Sequence, residues 1–153
     1  MREVKTNPGR VTRPGFSELG AAIQPAEEAA ARLNRTAGRF EVYDYLKAIY
    51  RIYRKWKYRK VAKRAARLLA NELSIAQRKG TSPIRILIEA TLPDANVRQK
   101  SRWVRALEHV SSEGIPAREF RKFIRTRGGV AGCARLAVNV NRKRKRPGGD
   151  WND

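Results

Sequence analysis

The sequence predicts an all-α fold, a small domain of about five to six helices with one long basic central helix and a C-terminal trihelical unit. Two observations predict it. From Arg39 onward, large apolar residues recur at steps of three and four, the spacing that gathers side chains on one face of a helix. Prolines, hydroxyl residues and glycines then punctuate the chain where helices start and stop, at Gly38, Gly80, Thr81-Ser82-Pro83, Pro93, Gly114, Pro116 and Gly128-Gly129. At 153 residues the chain has the length of one domain plus tails. The expected division is an N-terminal arm over 1–20, a helical domain over 21–138 and a basic tail over 139–153.

The arm holds Pro8-Gly9 and Pro14-Gly15 and few large apolar groups, so it is expected to be mobile. Pro25 followed by Glu27 and Glu28 marks a short helix start, because proline suits the first helical position and carboxylates suit the first turn. In 39–79, Val42, Leu46, Ile49, Tyr53 and Trp56 form one stripe, with Lys47, Arg51, Arg54, Lys55 and Tyr58 opposite. After Lys57 the apolar set becomes Val61, Ala62, Ala65, Leu68, Leu69, Leu73 and Ala76, rotated by roughly 140° from the first stripe at about 100° per residue. Either a helix breaks near Lys57–Lys60 or one long helix passes between two packing partners. With no Gly or Pro between Gly38 and Gly80, the long, kinked helix is the expectation, ending at Arg78-Lys79-Gly80.

Thr81-Ser82-Pro83 restarts the chain, and Ile84–Ala90 is apolar enough for a buried helix or a short strand. Pro93-Asp94 closes this run and caps the next helix, the first of a trihelical unit that spans 95–138. Its first helix, 95–112, buries Trp103, Val104, Leu107 and Val110 and turns Arg98, Arg102, Arg105 and His109 outward. Its second follows Pro116, with Phe120, Phe123 and Ile124 inward. Its third is Val130–Ala137.

Charge decides the function class. The 24 Arg and 11 Lys against 14 acids give a net charge of +21, which repels itself in a compact chain and calls for a polyanionic partner. Residues 45–80 hold 12 of the cations and a single acid; residues 115–153 hold 11 and three. Between Lys47 and Arg67, ten of 21 residues are Lys or Arg, and no acid falls between Asp44 and Glu72. A solvated helix face normally mixes signs to form pairs one turn apart, so this run points to phosphate. The expected nucleic-acid contacts are Lys47, Arg51, Arg54, Lys55, Lys57, Tyr58, Arg59, Lys60, Lys63, Arg64 and Arg67. Arg98, Arg102 and Arg105 join them, with the tail residues Arg142, Lys143, Arg144, Lys145 and Arg146. Tyr53 and Trp56 lie on the apolar stripe and belong to the core, whereas Tyr58 is free to stack on an unpaired base.

Chemistry has little to stand on. One histidine, His109, and one cysteine, Cys133, rule out a histidine cluster or a disulfide framework. Asp44, Glu72, Glu89, Asp94 and Glu108 are scattered, and phosphate-loop and dinucleotide fingerprints are absent. The expectation is no enzyme, no cofactor and no metal. The N-terminus has no apolar segment of a secretory signal and no run reaches membrane-spanning length, so the expected location is cytoplasmic, on the nucleoid if the host is bacterial.

Gly129-Val130-Ala131-Gly132-Cys133-Ala134-Arg135-Leu136-Ala137 resembles the first helix of a factor-for-inversion-type helix-turn-helix. The resemblance implies a second helix at Asn139–Arg146, which here runs into Pro147-Gly148-Gly149. Pro83–Ile88, with Arg105-Ala106-Leu107 downstream, resembles the FinO/ProQ RNA-chaperone pattern, but that pattern has glycine at Leu87 and an aromatic near His109-Val110. Arg13-Pro14-Gly15 and Arg146-Pro147-Gly148 resemble half of an AT-hook without its central Gly-Arg-Pro. The leading expectation is a bacterial or mobile-element DNA-binding protein, regulatory or architectural, with DNA ahead of RNA and a homodimer compatible. The alternatives are an RNA or single-strand binder, and a basic interaction module for an acidic protein.

Overall fold

A computed structural model describes residues 16–145, with side-chain environments given from Glu18 to Val138. Seven α-helices and one 3-10 turn make up the described chain, with no strand among these residues. They are α1 (Phe16–Thr36), α2 (Arg39–Tyr58), α3 (Ala62–Glu72), α4 (Pro83–Thr91), α5 (Val97–Ser112), the turn Ala117–Glu119, α6 (Phe120–Thr126) and α7 (Gly129–Lys145). The all-α expectation holds, with more helices than expected.

The apolar helix α4 sits in the middle and touches α1, α2, α3 and α5. Ile84, Ile86, Leu87 and Ile88 are all buried, which is why this run shows no one-sided period. Ser82 caps it by accepting a hydrogen bond from the Ile84 amide at 3.2 Å, and Pro83 takes the first position. Tyr45 of α2 ties the centre together. Thr91 donates to the Leu87 carbonyl at 2.8 Å, so the 2.7 Å contact between Tyr45 Oη and Thr91 Oγ1 has tyrosine as donor. The Tyr45 ring also meets Trp103 of α5 edge-on, centroids 5.6 Å apart. A buried phenol needs such a partner.

Helices α5, α6 and α7 pack on one another. The most extensive packing is between α5 and α7, where Trp103, Ala106, Leu107 and Val110 join Cys133 and Ala134 in one core. Gly132 permits the tight α6–α7 corner: a Cβ there would collide with the Arg127 carbonyl.

Five expectations are corrected. The long helix over 39–79 is two helices, and 73–79 is not helical. Lys60 occupies the left-handed region at φ 60°. Its amide bonds to the Lys57 carbonyl at 3.0 Å, and the Val61 amide reaches back to Trp56 at 2.9 Å. This is a Schellman end, a role usually given to glycine; Trp56 and Val61 on either side both pack in the core, which holds lysine there. Secondly, α1 starts within the expected arm, and Pro25 lies inside the helix rather than at its start. Leu19 and Ile23, upstream of the proline, are buried with Ala26, Ala29, Ala30 and Leu33, and that burial offsets the missing amide. The rest of the arm, 1–15, lies outside the described residues. Thirdly, α7 runs on through Lys145 rather than ending at Ala137. Fourthly, Asn96, not Asp94, caps α5, accepting from the Arg98 amide at 2.8 Å. Fifthly, His109 is buried, its ring 5.9 Å from that of Phe123. The sequence placed it outward, but α6 covers that side of α5.

Candidate nucleic-acid interface

The inner face of α2 is fixed by the buried Tyr45, Leu46, Ile49, Tyr50, Ile52 and Trp56. That leaves its other side to solvent. Arg51, Lys55, Lys57 and Tyr58 are exposed on α2, Arg59 and Lys60 in the turn after it, and Lys63, Arg64 and Arg67 on α3 just beyond. Three ion pairs occur among the described residues: Arg85–Glu89, Lys100–Glu89 and Arg121–Asp44. None uses an expected contact residue, so these cations carry no described carboxylate partner. Counter-ions or a polyanion must neutralise them.

Two of the expected contacts are partly engaged. Arg54 is half-buried and donates from Nη1 to the Ile115 carbonyl at 3.0 Å and to Tyr50 Oη at 3.2 Å. Tyr50 Oη itself donates to the Ile115 carbonyl. Arg54 therefore clamps α2 to the segment after α5, and burial raises the Tyr50 pKa despite the lowering effect of the hydrogen bond and charge of Arg54. Lys57 donates to Ser111 Oγ at 3.2 Å, linking the end of α2 to the end of α5. Lys47 is half-buried.

Arg98, Arg102 and Arg105 are exposed on α5. Arg105 lines a groove of about 1010 Å³ with Arg78, Arg85, Glu89, Val97, Val104 and residues of the α3–α4 connection. Two apolar side chains at this groove, Leu73 and Val97, are exposed. The groove's polar side is ordered by Glu89, which accepts from Lys100 Nζ at 2.9 Å and from Arg85 Nε at 3.2 Å. Arg142, Lys143, Arg144 and Lys145 lie on the last turns of α7, beyond the described side chains, and Arg146 lies outside the described residues.

Sequence reasoning missed one cluster. Arg39, Phe40 and Tyr43 at the start of α2 line a recess of about 500 Å³ with Arg125 of α6. Neither arginine has an ion pair among the described residues. Phe40 is 62 % exposed and Tyr58 is 89 % exposed. They are the only exposed aromatic rings among the described side chains. A signal for this was present: 18 residues separate them, about five whole helical turns, so they point the same way.

No group of three or more His, Cys, Asp or Glu among the described residues could hold a metal. Cys133 is fully buried, and burial pushes its thiol up to about 11, far from an activated nucleophile. No described helix is long and apolar enough to cross a membrane. No family model, no curated protein and no solved structure matches this chain.

Proposed function

We propose that this chain is a nucleic-acid-binding protein without enzymatic activity, a DNA-binding regulatory or architectural factor of a bacterium or mobile element. One observation carries the reading: eight exposed cations of Arg51–Arg67 follow one another around the α2–α3 turn with no described carboxylate paired to any of them. Phosphate binding by such a surface releases condensed counter-ions, so affinity must fall steeply with salt. With about six phosphates contacted, affinity for duplex DNA drops roughly a thousandfold between about 50 and 200 mM salt. Replacing Lys55, Lys57, Arg59 and Lys60 together by Ala weakens binding to all sequences alike and flattens that slope. Full affinity in this variant removes the turn from the interface, and salt-independent binding by the wild type removes the reading.

A second reading has its own observation. The groove beside α4 and α5, with exposed Leu73 and Val97 above Arg78 and Arg105, suits a basic module that docks an acidic, apolar segment of another protein. A stoichiometric protein complex that survives nuclease treatment favours it.

A further inference from the structure

The outer side of α2 carries more order than charge alone. Counting at about 100° per residue, Phe40, Lys47, Arg51 and Tyr58 fall in one narrow stripe, opposite the buried centre marked by Ile49 and Trp56. Lys55 flanks it. The rise of about 1.5 Å per residue puts the two exposed rings about 27 Å apart. So the stripe has an aromatic ring at each end and cations between.

The Phe40 end is also built for a charged, planar ligand. Its recess joins two aromatic rings, Phe40 and Tyr43, to two arginines, Arg39 and Arg125. At the helix start, Glu41 folds back so closely on Gly38 that a Cβ there would meet its carboxylate. That negative charge sits against the first-turn amides, so anion contacts at this end are assigned to the arginines. One acid, Asp44, lies beside the stripe, and Arg121 neutralises it.

Exposed rings interleaved with cations are the arrangement that single-stranded nucleic acids require, because bases offer their faces only when unpaired. A duplex hides those faces and presents phosphates, sugars and base edges instead. We propose that the outer stripe of α2 is a track for single-stranded DNA, with Phe40 and Tyr58 stacking on bases at its two ends and Lys47, Arg51 and Lys55 on phosphates between. This rests on the nucleic-acid reading above and adds to it a site specific for unpaired strands. At about 3.4 Å per stacked nucleotide, the rings bracket about eight nucleotides or fewer.

The test compares the wild type with Phe40→Leu, Tyr58→Leu and the double variant. Fluorescence anisotropy is read with an oligothymidylate of about 12 nucleotides and with a duplex of equal phosphate count, at one salt concentration. Both side chains are exposed, so the leucine variants keep the fold, which circular dichroism checks. Each substitution should weaken oligothymidylate binding about fivefold or more, while duplex affinity changes less than about twofold and the salt slope for both ligands stays put. Tyr58→Trp should restore or tighten single-strand binding. Leucine variants that bind oligothymidylate like the wild type overturn the track, as do variants that lose both ligands equally. A wild type that binds neither ligand overturns the nucleic-acid reading itself.

Discussion

Lys60 holds a backbone conformation that costs an L-residue about 1–2 kcal/mol, at φ 60° between α2 and α3. Glycine would relieve that strain but lose more freedom on folding, about 0.5–1 kcal/mol. Lys60→Gly should therefore stabilise the protein by a net of about 0.5–1 kcal/mol, or roughly 1–4 °C in Tm for a chain of this size. Ser74 supplies the control. It ends α3 in the same way, at φ 54°, with its amide on Asn71 at 3.4 Å and the Ile75 amide on Ala70 at 2.8 Å, but it has no charge. Ser74→Gly should give a similar gain and leave nucleic-acid binding alone. Lys60→Gly should gain stability and lose one phosphate contact, lowering the logarithmic salt slope for duplex DNA by about 0.9. Urea unfolding gives the first quantity and anisotropy across a salt series the second. If both glycine variants are destabilised, the account of these helix ends is wrong. If Lys60→Gly binds with an unchanged slope, the turn is outside the interface.

Two further predictions concern the fold. Lys100 is nearly fully buried and its charge is held by Glu89. Glu89→Ala should cost about 3 kcal/mol by stranding that ammonium, whereas Lys100→Met should cost less than about 1 kcal/mol; similar losses in urea unfolding would contradict this. Cys133 has a thiol pushed up to about 11 from an ordinary 9.0 by burial. A folded pKa above the unfolded one gives stability that is complete below about pH 9 and lost as pH rises through 11, on the order of 3 kcal/mol. Cys133→Ala should flatten the fall in urea midpoint between about pH 8 and 10.5. Tyr45, also raised by burial, contributes the same background to both proteins. A thiol reagent at pH 8 should label the wild type only on unfolding.

The helical class was legible because side chains three and four apart share a face, and tertiary packing reinforced that signal in α2, α5 and α6. The breaks were less legible. Lysine at 60 and serine at 74 take a role that sequence rules reserve for glycine, and only the packing around Trp56, Val61 and Ile75 selects it. Pro25 misled for a similar reason: proline usually opens a helix, yet the buried Leu19 and Ile23 extend α1 before it. Phase counting placed Tyr58 outward correctly. It also placed Arg54 and His109 outward, because it sees one helix at a time. The Ile115 carbonyl and the Phe123 ring, which engage them, come from later segments.

The same limit bears on the proposed interface. A straight helix over 39–79 would aim its two sets of cations about 140° apart, so the single cationic surface proposed above requires a break in the chain. The left-handed residue supplies that break, and the residue in that position is itself a cation. Strain at a non-glycine position often accompanies function, but Ala37 and Ser74 are left-handed too and carry no charge, so strain by itself identifies nothing here. What sets Lys60 apart is its place between Arg59 and Lys63 on an exposed run without described acid partners. Lysine there holds less stability than glycine would. A site that keeps the less stable residue and shows no loss of binding on replacement has no functional reason for it; one that trades stability for a phosphate contact does. The paired glycine variants at 60 and 74 separate those cases, because both relieve the same backbone strain and only one removes a charge.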